Sequence, residues 1–452
     1  MLNDLPPEII YLIAGYLSRP CDLYHLLSSS RGLYNVLQPV LYTNVTLCGL
    51  QGIESSVSTF LYAITRTPKL ASHVRTLEVG SWDTDYGHGE KACEKLGSDR
   101  NLIHKLVNDT TGYSDKERSK WINALKRGVT DAWLALLLPR LKALRKLSLT
   151  WPYGADYVLS MLQRASREEI PVFPHLEEVY ATWYDTENAA HSNFMHPFFS
   201  FPSMRKLGGW KFDEPEDSDY EPDPDEIFEY PEPCLEAPPP RCSNITDIDL
   251  HETNAARGMR IWVQACKELK SFRIVHGGAL ISHNDIQPRK IYESLSLHKA
   301  TLESIWIGNT EDTEWDNYDE WMGSFADFTA LKFLYARAAN LVGLDMDDNP
   351  ARRLKDVLPP SLETLYLRLR KEDGFEQLIE FIGSEDVPKL SALYLEIDRG
   401  NDPEQPERLE FLKQLCLEKG ILFHVPDTTD FEAWHYWGDV WPLGEASYLE
   451  CC

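Results

Sequence analysis

One hexad, apolar-x-x-apolar-x-apolar, recurs ten times and constrains the fold of this chain more than any other feature. It reads VRTLEV from Val74, LRKLSL from Leu144, LEEVYA from Leu176, MRKLGG from Met204 and ITDIDL from Ile245. It continues as LKSFRI from Leu269, LESIWI from Leu302, LKFLYA from Leu331, LETLYL from Leu362 and LSALYL from Leu390. Successive starts lie 70, 32, 28, 41, 24, 33, 29, 31 and 28 residues apart. Within a copy, alternation of apolar and polar residues predicts a short strand with one buried face. Between copies the period lengthens to that of a helix, as in Val158, Leu159, Met161 and Leu162. Phe375, Leu378, Ile379 and Ile382 repeat that stripe before Gly383, and Leu409, Leu412 and Leu415 repeat it before Gly420. One strand and one helix cannot enclose a core, so neighbouring copies must stack into an α/β solenoid.

The hexads resemble the leucine-rich repeat family over roughly residues 44–425, which implies an irregular horseshoe of about ten strand-helix repeats. The family's Asn or Cys, with two residues between it and the last leucine, is absent from most copies; Asn254 and Asn340 fall one position late. Two copies end in Gly209 and Ala336, so helices of unequal length are expected. The first, long step carries KERSKWINALKRGVTDAWLALLL, read as extra helical material. Residues 211–243 break the pattern: from Asp213 to Glu236 there are twelve acidic side chains and no basic one, interleaved with prolines. Such a run repels itself, and is expected to be a disordered insertion, either simply solvated or a tether for a basic partner.

Ahead of the repeats stands LPPEIIYLIAGYL, residues 5 to 17. Pro6 and Pro7 suit a first helical turn, Asn3 or Asp4 can cap it, and Glu8 favours the positive end of the helix dipole. Leu23, Leu26 and Leu27 predict a second helix entered through Asp22. Leu33, Tyr34, Val36 and Leu37 predict a third, stopped by Pro39. Three helices in about forty residues have little volume with which to cover this much apolar surface. The segment, residues 1–43, resembles an F-box: Leu5, Pro6, Glu8, Ile9, Ile10, Ile13 and Leu17 match the family's opening, and Asp22, Leu23, Leu26, Ser30 and Arg31 its second cluster. The family's tryptophan after the Ser-Arg pair is replaced by Leu33 or Tyr34. That resemblance implies docking on a Skp-type adaptor, and through it a cullin, by Leu5, Pro6, Glu8, Ile9, Ile10, Ile13, Leu17, Leu23, Leu26 and Leu27. The repeats would then hold a protein substrate of a ubiquitin ligase. The alternative is a repeat scaffold in which these helices only cap the first strand.

Composition narrows the partners. A net charge of −26 argues against nucleic acid and anionic membrane and makes a basic protein the more plausible substrate. The nine cysteines form no C-x-x-C pair, which fits scattered thiols in the cytoplasm or nucleus and argues against a zinc ribbon. Residues 9 to 17 have the length of a signal-peptide core, but Asp4, Glu8, two prolines and the absence of Lys or Arg ahead of them oppose that reading. Neither G-x-S-x-G, H-E-x-x-H nor a P-loop occurs; VHGGAL around His276 and DMDDN from Asp345 read as loops. No catalysis, metal or cofactor is expected.

In the hexad, the residue between the last two apolar positions faces the concave side. The ten residues there are Glu78, Ser148, Tyr180, Gly208, Asp249, Arg273, Trp306, Tyr335, Tyr366 and Tyr394. Four consecutive aromatics, with Arg337, Arg368 and Glu396 beside them, are the pattern of an interface anchor if exposed. Tyr180, Arg273, Trp306, Tyr335, Tyr366, Arg368 and Tyr394 are therefore the candidate substrate contacts. The competing readings are a cross-strand ladder that stiffens the sheet, or coverage by the tail, residues 426–452, with Trp434, Tyr436, Trp437 and Trp441.

Overall fold

The computed structural model describes residues 2, 5–17, 19–47, 53–84, 100–110, 112–185, 189–214, 235–277, 286–309, 320–344, 349–369, 375–384, 389–397 and 405–426. All ten hexads form strands. They are β2 (Thr76–Val79), β3 (Lys146–Trp151), β4 (Glu178–Trp183), β6 (Lys206–Trp210), β8 (Asp247–Thr253), β9 (Ser271–His276), β10 (Ser304–Asn309), β11 (Phe333–Arg337), β12 (Thr364–Leu369) and β13 (Ala392–Ile397). Two further strands, β1 (Asn44–Leu47) and β14 (Leu422–His424), extend the sheet at either end, and β5 (Ala190–His191) pairs with β7 (Phe212–Asp213) apart from it. The main sheet has twelve strands in chain order, every neighbouring pair parallel.

A single backbone device repeats at the entry to each strand. The carbonyl of the hexad's second residue accepts two amide protons from the next copy. Arg75 O accepts from Arg145 N and Lys146 N at 2.7 and 3.0 Å, and Arg145 O from Glu177 N and Glu178 N at 2.8 and 3.0 Å. The series continues through Glu177, Arg205, Thr246, Lys270, Glu303, Lys332 and Glu363. Thr43 O starts it ahead of β2, and Ser391 O ends it with one bond to Leu422 N at 2.9 Å. Each copy thus fixes the register of the next through groups that every sequence carries. Behind the sheet the hexad leucines and the helical stripes merge into one apolar core, running from Leu47 to Ile421.

The helices are less regular than the strands. Residues 156–165, 375–383 and 405–419 are helices with the expected stripes turned inward. The long first step holds helices at 100–108, 115–127 and 130–137; a Ser114–Glu117 capping box opens the second, and Gly128, at φ 87°, closes it. Between β4 and β6, however, a 3-10 segment of residues 192–200 replaces an α-helix. Gly209 explains one defect in the repeat. A Cβ there would stand 2.6 Å from the Phe212 ring, which is fully buried and fills the space of the missing leucine.

The insertion is shorter than its sequence suggests. Lys211, Phe212, Glu214 and Ser243 are buried, and β7 lies within the predicted loop. Only residues 215–234 fall outside the described ones. The Glu214 carboxylate accepts from Arg257 N at 2.9 Å and Arg260 N at 3.0 Å, closing the turn into helix 260–265; burial raises its pKa. Asp131 does the same for helix 156–165, whose own cap residue is Ala155. It accepts from Tyr157 N at 2.7 Å, Val158 N at 3.4 Å and Trp82 Nε1 at 3.0 Å. Burial nevertheless pushes its carboxyl up to about 7, against the pull of these donors.

The N-terminal segment is three helices: α1 (Pro7–Gly15), α2 (Pro20–Ser28) and α3 (Arg31–Leu41). Its boundaries correct three sequence expectations. Pro6 occupies the cap position of α1 without a side-chain bond, and Asn3 and Asp4 lie outside the described residues. Asp22 sits inside α2, paired with Arg19 at 2.9 Å, instead of capping it. Pro39 lies within the last turn of α3, which continues to Leu41 and is capped by Ser30 accepting from Leu33 N at 3.1 Å. Ile10, Ala14, Leu23, Leu27, Leu33 and Leu37 form a core separate from that of the solenoid. Full burial of such an aliphatic side chain contributes about 1.5–3 kcal/mol.

Restoring the repeat consensus should harm this protein. Gly209→Leu must expel Phe212 from a filled site and is expected to destabilise by about 1–3 kcal/mol, read as a lower denaturant midpoint at unchanged slope. Asp131→Ala leaves buried donors on Trp82 and Tyr157 without a partner. It should cost about 2–4 kcal/mol in the same measurement.

Candidate functional site

Two surfaces carry the residues singled out by the sequence, the concave face and the N-terminal helices. On the concave face one row runs unbroken across twelve strands, the register between β8 and β9 shifting only after it, between Leu250 and Thr253. Thr46, Glu78, Ser148, Tyr180, Gly208, Asp249, Arg273, Trp306, Tyr335, Tyr366, Tyr394 and His424 lie side by side in that order. Thr46 and His424 were missed in the sequence: YTNVTL fits the hexad only with Tyr42 in the first place, and the copy at β14 has Gly420 there.

The aromatic half of this row is a packed cluster, not an open platform. Trp306 and Tyr335 stack with centroids 4.1 Å apart and planes 7° apart. Tyr335 meets Tyr366 at 4.7 Å, Tyr366 stacks on Tyr394 at 5.6 Å, and Tyr394 meets His424 edge-on at 5.8 Å. Phe333, two residues before Tyr335, also stacks on Trp306 at 5.9 Å. With Val275 these rings form a core of their own, in which Tyr335 has no exposed surface and Trp306 and Tyr366 have 5% and 3%. Tyr394 remains half-buried. Burial holds the phenols of Tyr180, Tyr335 and Tyr366 neutral far above their ordinary range.

Glycines make room for the large rings. A Cβ on Gly308 would come within 3.2 Å of Trp306 and 3.3 Å of Tyr335, and one on Gly208 within 2.8 Å of the Tyr180 ring. In sequence Gly208 looks like a gap in the row; in space Tyr180 lies across it.

The charges beside the rings are matched internally. Arg368 pairs with Glu396 at 3.4 Å and donates to Asn309 Oδ1 at 3.2 Å, and Tyr335 Oη donates to Glu396 at 3.1 Å. The Arg273 guanidinium lies 4.8 Å from the Trp306 ring centre, with Nε 3.7 Å from Asp249, whose carboxylate also stands 3.0 Å from His251. Burial lowers the Arg273 pKa. Arg337 is 9% exposed.

The amino-terminal half of the same face is polar. One position earlier on the face, Lys146, Glu178, Lys206 and Asp247 alternate in sign across four neighbouring strands, with Lys146 and Glu178 paired at 2.8 Å. These four, with Glu78, Trp210 and His251, keep part of their surface open. The signal for this row was the residue two before each concave position, which alternates Lys, Glu, Lys, Asp. His276 ends β9, is buried, and has Nε2 3.3 Å from Asn254 Oδ1, a bond within the fold. Among the described residues no cluster of metal-ligating side chains occurs, and no helix is long and apolar enough to cross a membrane.

On the N-terminal helices the named residues divide. Ile10, Leu23 and Leu27 are buried in the three-helix core, while Ile13, Leu17 and Leu26 are partly covered. Leu5, Pro6, Glu8 and Ile9 are exposed, and so are Leu12 at 63% and Tyr16 at 88%. Ile9, Leu12 and Tyr16 recur at three- and four-residue steps, which places them on one face of α1 and its cap, while Leu5 is exposed ahead of the helix. Leu12 and Tyr16 escaped the sequence reading, although that spacing was visible.

A family model described as a leucine-rich repeat domain matches residues 164–390, half of the chain. No curated protein matches it.

The buried ladder predicts a stability effect. Tyr335→Ala and Trp306→Ala are each expected to cost about 3–5 kcal/mol in chemical denaturation, as for other large core truncations. Tyr394→Ala, with a half-open ring, should cost clearly less.

Proposed function

The chain belongs to the leucine-rich repeat family, whose solenoid is a protein-binding scaffold, and from that premise we propose that it serves as the substrate receptor of a Skp–cullin–F-box ubiquitin ligase. The observation that carries this reading is the N-terminal unit. It has its own core, separate from the solenoid's, and still leaves Ile9, Leu12 and Tyr16 uncovered on one helical face, with Leu5 exposed just ahead of it. A unit that merely capped the solenoid would spend those side chains on the solenoid core. Apolar anchors at such spacing fit helix-in-groove recognition, here by a Skp-type adaptor.

In this role the chain performs no chemistry. It raises the effective concentration of a bound protein near the ubiquitin-charged enzyme. The concave residues open enough to meet that protein are Glu78, Lys146, Glu178, Lys206, Asp247, His251 and Trp210, with Tyr394 at the far end. Trp306, Tyr335 and Tyr366 support the surface from beneath, and Tyr180, Arg273 and Arg368 hold its polar groups in place. A receptor of this kind works in the cytoplasm or nucleus, where the free thiols of Cys21, Cys242, Cys266 and Cys416 fit.

Co-expression with a Skp-type adaptor and size-exclusion chromatography tests the reading. A one-to-one complex is expected, lost in Ile9→Asp/Leu12→Asp, whose thermal stability stays within about 0.5 kcal/mol of the parent because both sites are exposed. Leu37→Asp, by contrast, should abolish binding by unfolding the helices. Retention of the complex by the exposed-face double variant, or no complex with the native chain, would remove the ligase assignment and leave a repeat scaffold.

A further inference from the structure

The first step of the solenoid carries a basic outer layer. Residues 100–146 hold eleven Lys and Arg against four Asp and Glu, in a chain that has 45 against 71. Helix 130–137, every residue of which is buried, lies behind the sheet, and helix 115–127 packs over it from outside. Trp121, Ala124 and Leu125 turn inward, and Trp121 Nε1 donates to Ala132 O at 2.9 Å. Lys116, Lys120, Asn123 and Arg127 follow one another at steps of four, three and four, with Ser119 and Lys126 between them, so the six share the opposite face. All six are exposed. The one acid between Lys116 and Arg127, Glu117, points elsewhere: it closes the capping box and pairs with Arg164 at 2.7 Å.

Solvation alone does not account for this face. Lys126 and Arg127 suit the negative end of the helix dipole, but Lys116 lies in the first turn, at the positive end, and repels Lys120 one turn on. Elsewhere the cations of this acid-rich chain find carboxylates, as Arg145 does with Glu177, Arg289 with Glu293, Lys332 with Glu303 and Lys413 with Glu410. Among the described residues no acid pairs with Lys116, Lys120 or Lys126. A cationic face that weakens its own helix and meets no acid in the fold fits an acid from outside. We propose that the outer face of helix 115–127 docks a short acidic segment of another protein, whose carboxylates meet Lys116, Lys120, Lys126 and Arg127 along about 16 Å of helix. Carboxylate is favoured over phosphate because three of the four cations are lysines, point charges without the planar fork that grips two phosphate oxygens at once. An extended polyanion, nucleic acid or membrane, would also meet the field of the whole chain at −26. A short segment engages one face within a screening length of about 8 Å.

Fluorescence anisotropy of labelled deca-glutamate at low salt tests this on three chains: the native one, Lys116→Gln/Lys120→Gln/Lys126→Gln/Arg127→Gln, and Lys413→Gln/Lys419→Gln as a control on the last helix. The native chain should bind, more weakly as salt is added; the fourfold variant should bind roughly tenfold less tightly, and the control within about twofold of native. Carbodiimide, which couples a carboxylate to the amine it touches, should join the peptide to Lys116, Lys120 and Lys126. That coupling uses the native chain alone, so it decides even if the fourfold variant is unstable. Unchanged binding by the fourfold variant, coupling at other lysines, or no binding by the native chain would each overturn the proposal. A DNA duplex or a phosphatidylserine vesicle that binds this face more tightly than the peptide would do so too, because the ligand would then be phosphate. The substitutions leave the N-terminal helices untouched, so adaptor binding stands or falls separately.

Discussion

The solenoid rests on a shared carbonyl. At the mouth of each strand one backbone oxygen takes two amide protons from the following copy, from Thr43 through Glu363. The residue that supplies it is the variable second position of the hexad: Arg, Glu, Thr or Lys in turn. Because the bond uses the backbone, side chains there are free to change without cost to the register. What the hexad must keep is only its apolar positions, which bury the other face of each strand. Once two copies are in register the third has no choice, and pairing propagates along the whole sheet.

That propagation turns an irregular sequence into a regular surface. The concave row is uninterrupted although the helices behind it vary from a 3-10 segment to fifteen residues. Irregularity is absorbed on the convex side by special residues. Phe212 fills the space that Gly209 leaves, and the buried carboxylates of Asp131 and Glu214 satisfy helix-entry amides that no local side chain reaches. Each carboxylate raises its own pKa by being buried, and each is held there by backbone donors. The first residues of the acidic insertion therefore belong to the fold, not to the loop.

The concave face divides in two for a physical reason. Large rings on adjacent parallel strands stand about 5 Å apart, close enough to stack, and stacking removes them from water. Smaller and charged side chains at the same positions do not fill that spacing and stay partly open. The aromatic half therefore gives rigidity, and the polar half, with its alternating Lys146, Glu178, Lys206 and Asp247, offers contact. A protein with a charge of −26 overall thus presents a locally balanced inner surface.

The sequence by itself determined the ten hexad strands, their order and which residue of each faces inward, because a period of two and a constant strand spacing leave those features no freedom. It also located the three N-terminal helices, through their apolar spacing. Helix ends were less legible: Asp22 and Pro39 have the residue types of boundaries but sit inside their helices, where a neighbouring arginine and a free last turn accommodate them. Exposure was decided only in three dimensions. Tyr335 and Tyr394 occupy equivalent hexad positions, yet one lies between Trp306 and Tyr366 with no exposed surface and the other, between Tyr366 and the edge of His424 near the end of the sheet, stays half-buried. Ile9 and Ile10 are adjacent and equally apolar, yet the turn of α1 gives one to the core and the other to solvent. Composition and spacing cannot distinguish such pairs, because burial belongs to the neighbours that tertiary packing brings.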